Sequence, residues 1–357
     1  MPLVRLYGHG ALRARLLDAV ERNALPSSLL LHGPRGVGKQ RLALWVGQAL
    51  LCTGTARPCG RCQSCRYVEE GAHPDLHWYF PRPRLKDADA SAAEVRADYA
   101  DAIAERLKNG GLYAPAEGTE AIYVSTVRAI VQEAGISPAF GHGKVFVIGD
   151  AERMVPQEGA DAAANAFLKL LEEPSPGTTI IMTSCEPGAL LPTIRSRVVS
   201  VRVAPMASAE LREFLSDPLV AAALKKEGVS ADPEECERMA GGAPGVLLAG
   251  GGQRAALESA QRLLEAAGSR QRAVRYRQAL LQGSARARGA FSETLDALTV
   301  LLHQRARSAT SQGDERAALA ASRAIAAVEE AKAHAEGNVN PQLVVASLLS
   351  ELAEAAR

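Results

Sequence analysis

An α/β domain built on a mostly parallel sheet, followed by helical segments alone, is the fold class this sequence predicts. Two observations carry it. Short apolar runs alternate with helix-spaced stretches up to about residue 205, and after Pro205 the strand signals stop. Strands buried on both faces read as continuous apolar runs rather than alternating ones, and helices between them cover the two faces of the sheet.

Taken in order, Ser28-Leu29-Leu30-Leu31-His32 is the first such run and leads into Gly33. A helical pattern follows from Lys39 to Leu51. Lys144-Val145-Phe146-Val147-Ile148 is a second run, ending at Gly149-Asp150, and Thr178 to Ser184 and Val198 to Val203 are two more. Between them Ala160 to Glu173 is rich in Ala and Leu and stops at Pro174, as a helix does. The polar segment 82–120 breaks this rhythm and is expected to be an insertion, with a helix over Asp98 to Leu107. Ser208 is the expected N-cap of the first later helix, with Glu210 in its first turn. Glycines at Gly241, Gly242 and Gly245 interrupt the helical text, which becomes rich in Ala, Leu, Arg and Glu from about Glu258. The expected divisions are therefore an α/β domain over 1–205, a small helical domain over 206–260 and an all-helical domain over 261–357.

At 357 residues the chain suits two or three domains. Its formal charge of +1 gives no global basic field for nucleic acid, so any DNA contact must be local or shared with partners. No apolar run is long enough to span a bilayer, and Met1 to Gly10 lacks the layout of a signal peptide, which makes the cytoplasm the expected compartment and a membrane no partner.

Gly33-Pro34-Arg35-Gly36-Val37-Gly38-Lys39 matches the phosphate loop, between a strand and a helix as that motif requires. The glycines let backbone N–H groups turn toward phosphate oxygens, and Lys39 would neutralise the outer phosphates. The next position carries the Ser or Thr hydroxyl that holds magnesium in a hydrolysing enzyme, and here it is Gln40. Asp150 ends the second strand where an acidic metal ligand belongs, but Ala151 follows it, with Glu152 one position late. Two independent motifs are altered, so hydrolysis by this chain alone is not expected. Weak ATP or ADP binding stays open.

Cys52, Cys59, Cys62 and Cys65 offer four thiolates in a short segment, the number and softness that a structural zinc ion takes. Spacing alone also allows an iron–sulfur cluster or free thiols. Cys185 and Cys236 stand alone and read as small buried hydrophobes.

The order of landmarks resembles the bacterial clamp loaders, a family of the AAA+ class. Tyr7-Gly8-His9, the phosphate-loop helix running into Cys52, the four cysteines and His73-Pro74-Asp75 come first. The Asp150 strand, the run from Asn165 to Pro174, Thr183 and Ser196-Arg197-Val198 follow. Gln40 and Ala151 resemble the delta-prime branch of that family, which is not its ATP-hydrolysing branch. The resemblance implies an AAA+ phosphate-loop domain with a zinc module at 52–65, a helical lid and a C-terminal helical collar. It implies a nucleotide site of Gly33, Gly36, Gly38, Lys39, Asp150 and Thr183, and structural Zn2+ on the four cysteines. It makes Arg197 an arginine finger acting in trans on a neighbour's ATP. Gly242-Ala243-Pro244-Gly245 occupies the lid sensor turn without its Arg, and Asn338 to Leu343 resembles the last helix of the collar. The family's Ser-Arg-Cys triplet ends here in Val198. Implied partners are gamma/tau-like and delta-like subunits of a pentameric ring within the DNA polymerase III holoenzyme, the sliding clamp and primer-template DNA. An ATP-hydrolysing gamma-type subunit is the alternative, and Gln40 and Ala151 speak against it.

Overall fold

The computed structural model describes residues 2–87, 90–113, 120–154, 161–229, 232–248, 250–269, 271–281, 288–336 and 339–355. Ala160, parts of the segment 82–120 and Asn338 lie outside the described residues. The chain divides into two compact units, Met1–Leu248 and Ala249–Arg357.

In the first unit a five-stranded parallel sheet has the order β2-β3-β4-β1-β5. The strands are β1 (Ser28–His32), β2 (Leu76–Tyr79), β3 (Lys144–Ile148), β4 (Thr178–Ser184) and β5 (Val199–Arg202). The three inner strands are the unbroken apolar runs of the sequence, and every residue of β3 is buried. Register sets Leu30 against Met182 and Ser200, and Val147 against Ile181 and Trp78. β5 is an edge strand with exposed side chains, Val199 among them. The expected run from Val198 to Val203 thus forms a strand, but one less buried than the inner three because it lies at the sheet's edge.

The helices of this unit begin with α1 (Gly10–Glu21), α2 (Lys39–Leu51), α3 (Gln63–Glu69), α4 (Ala92–Lys108), α5 (Val124–Ala134), α6 (Asp161–Glu172) and α7 (Pro192–Arg195). Helix α2 packs on the sheet with ten buried residues, which fixes the direction of the loop before it. The His73-Pro74-Asp75 segment is a turn. Buried Asp75 accepts the N–H groups of Ala139 (2.6 Å) and Phe140 (2.9 Å), tying the loop before β3 to the foot of β2.

The inserted segment is pinched at its base by a two-way backbone bridge between Arg82 and Ala121. Its helix begins at Ala92, six residues before the expected start, because Ser91 and Glu94 form a capping box. Arg82 clamps Asp98 with two hydrogen bonds of 3.0 and 2.9 Å, and the Tyr99 hydroxyl donates to the Phe80 carbonyl at 2.6 Å.

Residues after the sheet form α8 (Ser208–Leu215), α9 (Pro218–Lys226), α10 (Pro233–Ala240) and a 3₁₀ turn, Pro244–Leu248. They have a small core of their own with Leu211, Phe214, Val220, Leu224 and Cys236. Ser208, expected as the N-cap of α8, is instead its first residue. Ala207 is the cap, and its N–H is satisfied by the Glu210 carboxylate at 3.1 Å.

The second unit holds α11 (Gly250–Gly268), α12 (Arg272–Leu280), α13 (Arg288–Ser311), α14 (Glu315–Glu336) and α15 (Pro341–Ala355) around Leu295, Leu298, Val328, Val345 and Leu349. The expected division at 260 falls inside α11. No helix among the described residues is long and apolar enough to cross a membrane.

Candidate functional site

The loop from Gly33 to Gly38 joins β1 to α2, with Gly36 and Gly38 at positive φ of 77° and 94°. Lys39 folds back on it. Its ammonium donates to the carbonyls of Gly33 and Pro34, both at 2.9 Å, and lies 3.1 Å from the Cys185 sulfur. A phosphate at this loop must draw Lys39 off these partners. On the loop's other side the Gly245 N–H donates to the Gly36 carbonyl at 2.8 Å, and a Cβ on Gly36 would meet the Val246 nitrogen at 2.8 Å. The turn without a sensor Arg therefore packs directly on the loop.

Gln40 is buried and its amide is hydrogen-bonded at both its oxygen and its nitrogen. The Trp78 indole donates to Oε1 at 3.0 Å, and Nε2 donates to Asp150 Oδ2 at 3.1 Å. Because an indole N–H can only donate, Oε1 must face Trp78 and the NH2 must face Asp150. The residue whose Cβ would aim at this amide is Gly149, not Asp150. A methyl there would stand 2.3 Å from the Gln40 amide carbon. Asp150 reaches the site from a left-handed backbone, φ 47°, with its N–H donated to the buried Thr183 hydroxyl at 3.1 Å. A glycine closing an apolar strand just before an acid was the sequence signal for this arrangement.

Glu152, one position late in the sequence, is carried into the site by the 3₁₀ turn Ala151–Arg153 that follows left-handed Asp150. Its carboxylate accepts the Cys185 N–H at 3.0 Å, and burial together with the Asp150 charge raises its pKa. Cys185 is likewise no anonymous core residue. It joins Asp150 and Glu152 in a group whose ligand atoms lie within 4.8 Å of one another, and burial pushes its thiol up to about 12. Cys236 is buried among apolar side chains, as its sequence context suggests. The inserted helix supplies the residue that sequence reasoning missed altogether. Arg106 lies 3.3 Å from the Phe80 ring centroid, 3.7 Å from Tyr113 and 4.9 Å from Trp78, with Nη1 3.4 Å from Gln40 Oε1.

The four clustered cysteines converge. Cys52 is the C-cap of α2, Cys62 is the N-cap of α3 and Cys65 lies in its first turn. Sulfur separations are 4.0 Å for Cys59–Cys65 and 3.9 Å for Cys52–Cys62, near the roughly 3.8 Å edge of a tetrahedron with zinc–sulfur bonds of about 2.3 Å. Backbone N–H groups of Gly54, Cys59, Cys62 and Cys65 point at the sulfurs at 3.3–3.4 Å and favour thiolates. The group can hold one metal ion. His73 is not part of it, since its Nδ1 accepts the Asp75 N–H at 3.0 Å.

Arg197 sits between α7 and the edge strand β5, away from the phosphate loop's own residues. Its guanidinium donates to Glu172 at 2.6 Å, to the Thr193 carbonyl at 2.8 Å and to the Ser196 hydroxyl at 3.2 Å.

A phosphate loop on β1, an acid after β3 and a strand, β4, lying between the two define an AAA+ type of domain. The chain belongs to the family described as DNA polymerase III, delta subunit, whose model matches residues 8–207. It is 33% identical over 217 residues to the DNA polymerase III subunit delta' of Pseudomonas aeruginosa, covering 60% of this chain and 52% of that protein. It is 27% identical over 192 residues to the subunit delta' of Bacillus subtilis, covering 54% and 46%. The subunit tau of Escherichia coli is 27% identical over 234 residues, 65% of this chain and 29% of that protein. The chain thus spans about half the length of the curated delta' relatives it matches. A DNA polymerase III gamma subunit-related protein of Thermotoga maritima aligns over 97% of this chain and 99% of its own, with 16% identity and a TM-score of 0.41.

Proposed function

We propose that this chain is a delta-prime-like subunit of the replicative clamp loader, a structural and regulatory member of the ring that does not hydrolyse ATP itself. The observation that carries the reading is the engagement of Lys39 and Gln40 with the chain's own carbonyls, indole and carboxylate. A hydrolysing phosphate-loop protein needs its lysine on the outer phosphates and a hydroxyl on the metal. Here the lysine is held by the loop and the hydroxyl is replaced by an amide bonded to Trp78 and Asp150.

In this reading Gly33, Gly36, Gly38 and Lys39 bind at most a nucleotide, weakly, beside Asp150 and Thr183. The four cysteines hold one structural zinc ion. Residues 206–248 act as the lid and the second unit, residues 249–357, as the collar that assembles with gamma/tau-like and delta-like subunits in a pentameric ring, which loads the sliding clamp onto primed DNA. Arg197 serves the neighbour's ATP. A guanidinium suits that task because it is permanently charged and can bond two phosphate oxygens at once.

The test is reconstitution. The chain combined with candidate gamma- and delta-type subunits should give a clamp-loading complex, while the isolated chain shows no ATP turnover above background. Turnover by the isolated chain that Lys39→Ala abolishes would overturn the non-hydrolysing reading.

A further inference from the structure

Magnesium is the ion a phosphate-loop fold implies, and the residues of this site do not fit it. The hydroxyl expected after the loop lysine is Gln40. Its oxygen is turned away to the Trp78 indole at 3.0 Å, so it presents Asp150 with N–H donors at 3.1 Å. The carboxylate at that amide, Asp150, is already taken up by its N–H, and the neighbouring position facing the amide, Gly149, adds no second one. A divalent ion placed there would meet donors where it needs oxygens.

Positive charge comes instead from inside the chain. Arg106, almost wholly enclosed by Phe80, Tyr113 and Trp78, lies close enough to Asp150 to feel its charge and bonds toward Gln40 Oε1 at 3.4 Å. Planar stacking on aromatic faces suits a guanidinium in particular. The other candidate ligand group, Asp150, Glu152 and Cys185, has the Lys39 ammonium 3.1 Å from its sulfur, so its cation is also the chain's own. Asp150 and Glu152 thus lie within the fields of Arg106 and Lys39, two cations of the chain itself.

We propose that the site is built to work without a divalent ion: Arg106, presented by the inserted helix α4, and the Gln40 amide stand in for magnesium, and any phosphate group the loop accepts is held by Lys39 and backbone N–H groups alone. This rests on the non-hydrolysing reading and adds to it a role for the insertion.

The experiment uses the full chain loaded with zinc. Mn2+ binding is followed by electron paramagnetic resonance, and thermal melts are recorded with and without millimolar Mg2+. The wild-type chain should show no tight Mn2+ site and an unmoved melt. The Gln40→Ser, Gly149→Asp double variant, which restores an oxygen and a carboxylate to the facing positions, should gain one Mn2+ site and a Mg2+-dependent rise in melting temperature. Arg106→Lys, which keeps charge but not the planar stack, should melt lower than wild type and still bind no Mn2+. One tight Mn2+ per wild-type chain, lost on Asp150→Asn, overturns the proposal, and this measurement decides even if the double variant does not fold. Mn2+ binding without ATP turnover would sink this inference alone, whereas Mg2+-dependent turnover would sink the non-hydrolysing reading with it.

Discussion

Gly149 faces Gln40 so closely that a Cβ on the glycine would stand 2.3 Å from the Gln40 amide carbon and 2.4 Å from its nitrogen. The two positions are sterically coupled. Gly149→Ala must push the amide off both Trp78 and Asp150, and overpacking of this kind costs about 1–3 kcal/mol. Shortening the partner should relieve it, so Gly149→Ala combined with Gln40→Ser is expected to be less damaging than the two single changes summed. Urea unfolding of the four chains gives the coupling energy directly. Simple additivity would show that the pair does not act as one unit.

The cysteine cluster leads to a metal-dependent stability prediction. Cys52 and Cys65 are buried at the joints with α2 and α3, so a metal ion there ties two helices and the loop between them. Structural zinc can supply on the order of 10 kcal/mol in small modules, and a fraction of that is enough to matter here. Elemental analysis should find one zinc per chain. Cys62→Ser should lose the metal and lower the melting temperature more than Cys185→Ser does. A chain that binds iron, or that keeps its melting temperature after chelation, contradicts the assignment.

His77 should make the first unit acid-sensitive. It stacks on Phe146 at 4.9 Å and lies near Glu133, Lys144, Arg96 and Asp75. Burial is the main cause that brings its pKa down to about 4; Glu133 opposes the shift and Lys144 assists it. The folded value is thus below the ordinary His value of about 6.5. Protons are taken up by the unfolded chain first, so the contribution is fully present above about 6.5 and is lost as pH falls toward 4, roughly 3 kcal/mol in total. His77→Gln should flatten this part of the stability–pH curve. An unchanged slope between those pH values would show that other groups set it.

Much of the α/β architecture was legible because β1, β3 and β4 are buried on both faces and therefore spell themselves out as apolar runs. The phosphate loop and the cysteines were legible because their chemistry demands fixed spacing. Helix α4 was only half visible, since its polar, Ala-rich text gives weak periodicity and the Ser91–Glu94 capping box was the cue to its start. Arg106 was not visible at all. Its meaning comes from Trp78, Phe80 and Tyr113, which no local spacing links to it, and from an amide 66 positions away. The place of Glu152 in the site was not legible because its direction depends on the left-handed turn at Asp150, a backbone state that the sequence does not announce.

Arg197 is the residue on which a role in trans stands or falls. It lies beside the edge strand β5, so no further strand covers it among the described residues, and its guanidinium is held by Glu172, Thr193 and Ser196. The Glu172 partner is itself exposed on α6. Exposed ion pairs contribute only about 0–1 kcal/mol, so this one orients the arginine without committing it, and a neighbour's phosphate can outcompete the carboxylate. In the assembled complex, Arg197→Ala should leave assembly intact while DNA-stimulated ATP turnover falls by roughly a thousandfold at the site it serves, the scale of an arginine finger. Arg197→Lys should recover little, because a point charge cannot bond two phosphate oxygens in a plane. Glu172→Gln is the control: it removes the ion pair but keeps the arginine, and turnover should stay near the wild-type level. Equal losses for Glu172→Gln and Arg197→Ala would mean that the ion pair itself matters and that Arg197 is a surface brace. Wild-type turnover and clamp loading with Arg197→Ala would remove the finger from this chain and leave it a scaffold.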